Sequence, residues 1–181
     1  MDTMNGNLSA ILFDERELRT RIRELGAELS KIYENKNPVL IGVLKGAVLF
    51  LSDLMRHITV PVDIDFISIS SYGTSAKSSG VITLKKDIDI DIKDRHIIIV
   101  DDIVDTGLSI QHLMKHFESL GPKSICTCVL LDKPKAHKIN ITIDHVGFEI
   151  SNEFVVGFGL DFNEKYRNLP FIGIIKDEVY K

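Results

Sequence analysis

Between Asp14 and Tyr33 the apolar residues fall at Leu18, Ile22, Leu25, Leu29 and Ile32. Steps of three and four put them on one face and predict an amphipathic helix that ends near Asn35 to Pro38. Val39 to Leu44 is short and apolar throughout, as in a strand covered on both faces, and Ala47 to Met55 reads as a helix after a Lys45-Gly46 turn. Val62 to Ser70 predicts a second strand, Val81 to Leu84 a third, and Asp87 to Lys93 is charged and turn-like. His96 to Val100 is almost purely β-branched, the pattern of a buried strand. Ile110, Leu113, Met114, Phe117 and Leu120 then share a helical face, Gly121-Pro122 stops that helix, and Ser124 to Leu131 is apolar again. Strand, helix, strand at this spacing is a parallel crossover unit. Ile139 to Val146, Phe154 to Gly157 and Phe171 to Ile175 predict short strands that complete the chain.

Composition narrows the class. The 181 residues are 44% hydrophobic and carry 22 Lys+Arg against 26 Asp+Glu, a formal charge of −4, which predicts one globular domain and argues against a dedicated nucleic-acid binder. The longest apolar stretch, Val39 to Leu51, contains Lys45 and is shorter than the roughly 20 residues a bilayer demands, so no membrane association is expected. No secretory leader is visible at the N-terminus, and a cytoplasmic location is expected. Cys126 and Cys128 lie two apart in a strand-like run, on one face, and are expected to be reduced core thiols rather than a disulfide or a zinc site. His112 and His116 stand opposite the apolar face of their helix and are expected to be solvated, with no metal role.

The chemistry concentrates directly after His96 to Val100, in Asp101, Asp102, Ile103, Val104, Asp105, Thr106, Gly107, Leu108 and Ser109. Ligands of open parallel sheets bind at the carboxyl ends of strands, and the helix that follows offers free N–H groups to a phosphate. Thr106 and Ser109 add hydroxyls, and Gly107 lets the backbone approach an anion closely. Three carboxylates beside a phosphate nest need a cation or hydroxyl donors between them, a requirement that Mg²⁺ and a ribose meet. Helix capping accounts for one aspartate but not for three. An Asp-Thr-Gly triplet also occurs in aspartic proteases, yet those are all-β, whereas an amphipathic helix follows here. Neither a Gly-x-Gly-x-x-Gly turn nor a Walker A loop is present.

With these residues in view, IIIVDDIVDTGLS resembles the phosphoribosyl pyrophosphate signature of type I phosphoribosyltransferases. VLIGVLKGA, ISISSYG, LLDKPKA and NEFVVGFGLDFNEKYRNLP are similar to segments of the hypoxanthine-guanine branch in its short bacterial forms, from about residue 10 to the C-terminus. The resemblance implies an α/β fold over residues 1 to 181, a mainly parallel sheet flanked by helices, with a small hood from the N-terminal residues and the segment around Lys133 to Asp161. It implies transfer of the 5-phosphoribosyl group from phosphoribosyl pyrophosphate to N9 of hypoxanthine or guanine, giving the nucleoside monophosphate and pyrophosphate, with Mg²⁺ as cofactor and a homodimer or homotetramer as the assembly. A regulator on the same fold that senses phosphoribosyl pyrophosphate and binds RNA or DNA is the rival reading; it would need a basic face and no base at N7.

The roles implied by resemblance are specific. Asp101 and Asp102 hold the ribose hydroxyls and, with Asp161, the metal. Asp105 is the general base for the purine N7 proton, while residues 105 to 109, with Ile103 and Val104 before them, form the phosphoribosyl cradle. Lys45 and Gly46, after a cis peptide, and Arg167 bind pyrophosphate. Lys133 donates to the 6-oxo group, Phe154 stacks on the base, and Val155 contacts its edge, beside Asp161. Ser71 and Tyr72 begin a lid over Ser71 to Gly80, a stretch with five Ser/Thr and two Gly in ten positions. Asp101 stands where glutamate is frequent, Leu108 where some relatives carry a cation, and Glu153 where mammalian forms have lysine.

Overall fold

The computed structural model describes residues 5–71 and 82–180. Its elements are β1 (Leu8–Phe13), α1 (Glu15–Ile32), β2 (Val39–Leu44), α2 (Val48–His57), β3 (Asp63–Ser71), β4 (Ile82–Lys86), β5 (His96–Val104), α3 (Leu108–Glu118), β6 (Ser124–Asp132), β7 (His145–Glu149), β8 (Val155–Val156), β9 (Ile172–Ile175) and α4 (Asp177–Tyr180). Six strands form one sheet in the order β4-β3-β2-β5-β6-β7, parallel except for β4 at the edge. Central β2 and β5 are in register from Val39 against Ile97 to Gly42 against Val100.

Alternation along β5 divides the core. Ile98 and Val100 pack with Leu18, Ile22, Leu25 and Leu29 of α1 and Phe50, Leu51 and Leu54 of α2. Ile97 and Ile99 turn the other way, toward Ile110, Leu113 and Phe117 of α3. A strand buried on both faces must be apolar at successive positions, which is why His96 to Val100 shows no polar alternation. The α/β class expected from the sequence is therefore the one observed. Cys126 and Cys128 are free and buried, and burial pushes the Cys126 thiol up to about 11. Among the described residues no helix is long and apolar enough to cross a membrane.

Several elements differ from their sequence pattern. β5 runs on through Asp101 and Asp102 to Val104, so the acidic residues belong to the strand, held by pairing with Val129 to Asp132 of β6. Of Ile139 to Val146 only the last two residues are strand; Ile141 and Ile143 pack on the α3 core from an irregular segment. A second sheet, β1-β9-β8, is antiparallel and joins the two ends of the chain, with β9 between β1 and β8. The hood expected from the N-terminal residues and Lys133 to Asp161 is thus drawn differently, since β7 in that span joins the large sheet and β9 lies beyond it. β1 has no clear strand pattern, because its pairing with β9 is irregular between Leu8 and Ala10 and between Ile11 and Phe13, and Ile11 is 58% exposed. His116 is not simply solvated: its Nε2 lies 2.9 Å from Asp87 Oδ1, in the turn that follows β4.

The start of α1 is set by a capping box. Asp14 Oδ1 accepts from the Glu17 amide at 2.8 Å, and Glu17 Oε2 accepts from the Asp14 amide at 2.8 Å. Replacing Asp14 with Ala removes one of these bonds at an exposed position and is expected to cost about 1 kcal/mol. The expected outcome is a Tm lower by roughly 2–4 °C with steady-state kinetics unchanged, measured by thermal unfolding beside an activity assay.

Candidate active site

The carboxyl ends of β2, β5 and β6 converge on one edge of the large sheet. From β5 the chain passes through Asp105 and Thr106 to Gly107, whose φ of +80° makes it the N-cap of α3, with no side-chain hydrogen bond to the cap. α1 and α3 contrast here: the first helix is closed by a carboxylate, whereas the second has a glycine N-cap with no side chain, and its Leu108 amide meets the Thr106 hydroxyl at 3.5 Å, an arrangement of amides and hydroxyl that suits an anion. The aspartates before α3 do not serve as its caps. A cavity of about 220 Å³ opens in front of this turn, lined by Val43, Ile69, Asp101 to Gly107, Ser109 and Ile110. Leu108 is not among its lining residues, and the Val104 side chain is 2% exposed in the core.

A second cavity of about 230 Å³ adjoins the first and is lined by Asp102, Ile103, Asp105, Lys133, Phe154, Val155, Leu160 and Asp161. Asp105 therefore stands on the wall common to both, exposed, with no hydrogen bond or ion pair from its side chain among the described residues. Lys133 is only 8% exposed, yet no carboxylate of the described residues reaches its ammonium. A desolvated cation with three donors calls for an acceptor from a ligand. Its backbone is pinned to the phosphate turn: the Lys133 amide donates to Val104 O at 2.9 Å and the Lys138 amide to Thr106 O at 3.0 Å. His137 Nε2, 2.7 Å from Asp132 Oδ1, closes the same loop. Phe154 is 36% exposed, stacked on Tyr180 at 4.9 Å and edge-on to Phe162 at 5.7 Å, so one side of its ring already has an aromatic partner.

Asp101 and Asp102 form the charged centre. Burial pushes the Asp101 carboxyl well above its usual range, and the neighbouring Asp102 pushes it further. Burial also raises Asp102, against which the Arg167 charge acts in the opposite sense. A buried carboxylate beside a half-buried one, both resisting ionisation, is the donor set a divalent cation or hydroxyl donors would satisfy, so the residues fit Mg²⁺. Among the described residues, however, no three carboxylate, histidine or cysteine side chains converge as a ready metal site, so Asp101, Asp102 and Asp161 are not gathered into one cluster. A hard cation here would take its remaining oxygens from substrate and water.

The Lys45-Gly46 turn sits against this centre. The Leu44-Lys45 peptide is cis, as the resemblance implies. A Cβ at Gly46 would fall on the Asp102 carboxylate, and one at Gly159 on the Gly46 carbonyl, so only glycines let the turn lie between these segments. Arg167 is fixed from behind, with Nη1 donating to Gly159 O at 2.7 Å and Nη2 paired with Asp161 Oδ1 at 2.7 Å, while its Nε is buried without a partner. Glu164 joins the two cations: its carboxylate takes Lys45 Nζ at 3.1 Å and Arg167 Nη2 at 3.3 Å, and these two partners hold it below the usual glutamate range. The sequence reading assigned Glu164 no role, although it lies within the NEFVVGFGLDFNEKYRNLP segment; His137 and Tyr180 were also missed. Ser71 ends β3, and Tyr72 and the rest of the expected lid lie outside the described residues.

The phosphoribosyl transferase domain family matches residues 10–163. The hypoxanthine-guanine phosphoribosyltransferase of Bacillus subtilis is 45% identical over 98% of this chain and 99% of its own length. That of Streptococcus mutans is 43% identical over 96% of this chain and 97% of its own. Among solved structures, a hypoxanthine phosphoribosyltransferase from Staphylococcus aureus superposes with a TM-score of 0.95 at 39% identity, covering 100% of this chain and 99% of that one. The Trypanosoma cruzi enzyme, in complex with the product IMP, superposes with a TM-score of 0.90 at 39% identity over 96% of this chain and 97% of that one. Cradle, buried lysine and glycine-lined turn thus occur on a chain that belongs to the phosphoribosyltransferase family, in its hypoxanthine-guanine branch.

Proposed function

We propose that this purine salvage transferase moves the 5-phosphoribosyl group from phosphoribosyl pyrophosphate to N9 of hypoxanthine or guanine, releasing pyrophosphate and forming IMP or GMP. The observation that carries the assignment to these residues is the position of Asp105, a carboxylate without a partner among the described residues, on the wall between the cavity before α3 and the cavity that holds Lys133. In the reaction the bond from ribose C1′ to the pyrophosphate oxygen breaks, N9 takes C1′, and the purine loses a proton from N7. Asp105 accepts that proton, within reach of both reactants.

The amides of residues 105 to 109 and the hydroxyls of Thr106 and Ser109 hold the 5-phosphate, while Asp101 and Asp102 accept from the ribose hydroxyls. Lys133 donates to the purine 6-oxo group, Phe154 offers its free face to the ring, and Val155 borders the base through its backbone. Lys45, Gly46 and Arg167 take the departing pyrophosphate, whose charge they offset as it develops. Held through Asp101, Asp102 or Asp161, Mg²⁺ would supply further positive charge to the pyrophosphate oxygens. The free thiols of Cys126 and Cys128 suit a reducing cytoplasm. Exposed Val48 and Leu49, on the first turn of α2, support a homodimer or homotetramer.

The direct test mixes the protein with phosphoribosyl pyrophosphate, Mg²⁺ and one purine at a time, following pyrophosphate and nucleotide together. Turnover is expected with hypoxanthine or guanine, not with adenine, and should stop with a chelator; no turnover with either 6-oxopurine would overturn the assignment. Asp105→Asn should lower kcat by roughly 10²-fold or more while KM for phosphoribosyl pyrophosphate changes little, because the base is lost and the phosphate turn persists. Lys133→Met removes the only ammonium that the described residues place in its cavity and should cut kcat/KM for 6-oxopurines by roughly 10- to 100-fold. Competition kinetics against adenine then read the loss of discrimination directly.

A further inference from the structure

Glu164 occupies a position that its backbone does not favour. The chain reverses between Phe162 and Lys165, which exchange amide and carbonyl at 3.1 and 3.2 Å, and the two residues between them, Asn163 and Glu164, have φ of +52° and +61°. Such a turn ordinarily takes Asn and then Gly, because a Cβ is disfavoured in the left-handed region. Here the second position instead carries a carboxylate, and that carboxylate lies between the two side chains read above as pyrophosphate ligands. Lys45 Nζ is 3.1 Å from both of its oxygens and Arg167 Nη2 is 3.3 Å from one. The link spans distant segments of the chain, the turn after β2 and the loop before β9.

We infer that Glu164 is a stand-in for pyrophosphate: it holds Lys45 and Arg167 together between turnovers, yields them to the incoming diphosphate, and takes them back as the product leaves. The inference rests on the assignment of Lys45 and Arg167 to pyrophosphate. Three features support exchange rather than a permanent structural tie. Lys45 and Glu164 are each 65% exposed, so their attraction is screened and readily displaced. Arg167 has a second anchor, Asp161 at 2.7 Å with the Gly159 carbonyl, and keeps its place when Glu164 lets go. A diphosphate carries more charge and more acceptor oxygens than one carboxylate and wins both cations when present. The consequence is easier release of a leaving group that the site must otherwise bind strongly. Glu164 is a positioning residue and touches no reacting atom.

The test measures binding of inorganic pyrophosphate with Mg²⁺ by calorimetry, together with its inhibition constant against phosphoribosyl pyrophosphate, in the intact protein. Glu164→Gln, which keeps the shape and removes the charge, should tighten pyrophosphate roughly three- to tenfold and lower KM for phosphoribosyl pyrophosphate in parallel, leaving KM for the purine unchanged. Glu164→Gly, which suits the positive φ, should shift affinity in the same direction and excludes local unfolding as the cause. Lys45→Met should weaken pyrophosphate and reduce the gain from Glu164→Gln when the two are combined. Unchanged or weaker pyrophosphate binding in both Glu164 variants, with Lys45→Met still weakening it, would overturn the stand-in role alone. No effect of Lys45→Met would overturn the pyrophosphate assignment and the stand-in role with it.

Discussion

Two adjacent carboxylates, Asp101 and Asp102, are placed where burial opposes their charge, and the site is organised around that conflict. Isolated ionised groups in an apolar interior are strongly disfavoured, so a fold that keeps two of them needs a scaffold stable enough to absorb the penalty. β5 provides it. Ile97 to Val100 are fully buried and paired to β2 on one side and β6 on the other, so the strand continues through the acidic pair instead of fraying into loop. Gly46 and Gly159 then lack side chains because the Asp102 carboxylate and the turn beside it leave no room for a Cβ.

How much of this the sequence discloses depends on whether a residue's partner is near in sequence. Helix α1 and the strands β2 and β6 could be read almost to the residue, since period and burial are local signals. The phosphate turn was legible for the same reason, as strand end, glycine and helix start are contiguous. β1 was not, because its pairing with β9 joins opposite ends of the chain and leaves Ile11 facing solvent. The extension of β5 through Asp101 and Asp102 was also hidden, because strand propensity disfavours aspartate and only pairing with Val129 to Asp132 holds them in the ladder. Lys45, Lys133, Phe154, Asp161 and Arg167 were singled out by family resemblance alone; nothing in their spacing announces that separate segments bring them to one edge. Glu164 escaped even that, because its contact with Lys45 joins segments far apart in the chain, whereas His137 lies only five residues from its partner Asp132 and carries no pattern that announces the pair.

The two sheets divide the work. The large, mainly parallel sheet presents Asp105 and the turn before α3, proposed above as the base and the phosphate cradle, from the end of β5, on elements fixed by the deepest part of the core. The smaller antiparallel sheet carries Phe154 and Val155 at its β8 edge, and the loop that follows brings Asp161, Glu164 and Arg167. That loop holds Phe158, Asn163, Glu164 and Tyr166 at positive φ, a concentration of disfavoured backbone that the packing of Val156, Tyr166, Leu169 and Ile175 maintains. The strained segment thus has a small core of its own on one side, while Phe158 and Leu160 tie its other side to the core that contains Ile98 and Val100 of β5.

The division of the site between two sheets bears on specificity. Lys133 follows the end of β6, and its loop is pinned to the turn before α3 through Val104 and Thr106, so the contact proposed for the 6-oxo group is mechanically joined to that turn. The opposite wall is not. Phe154 reaches the purine cavity from β8, backed by Tyr180 of the C-terminal helix, and Glu153 lies just before it. Substitution at Glu153 or Tyr180 can therefore reshape the space around the base edge while Asp105, the phosphate turn and Lys133 stay in place. Under the proposed assignment, the choice among 6-oxopurines is a property of the wall that carries Phe154, whereas rejection of a 6-amino group belongs to the loop pinned to the turn before α3.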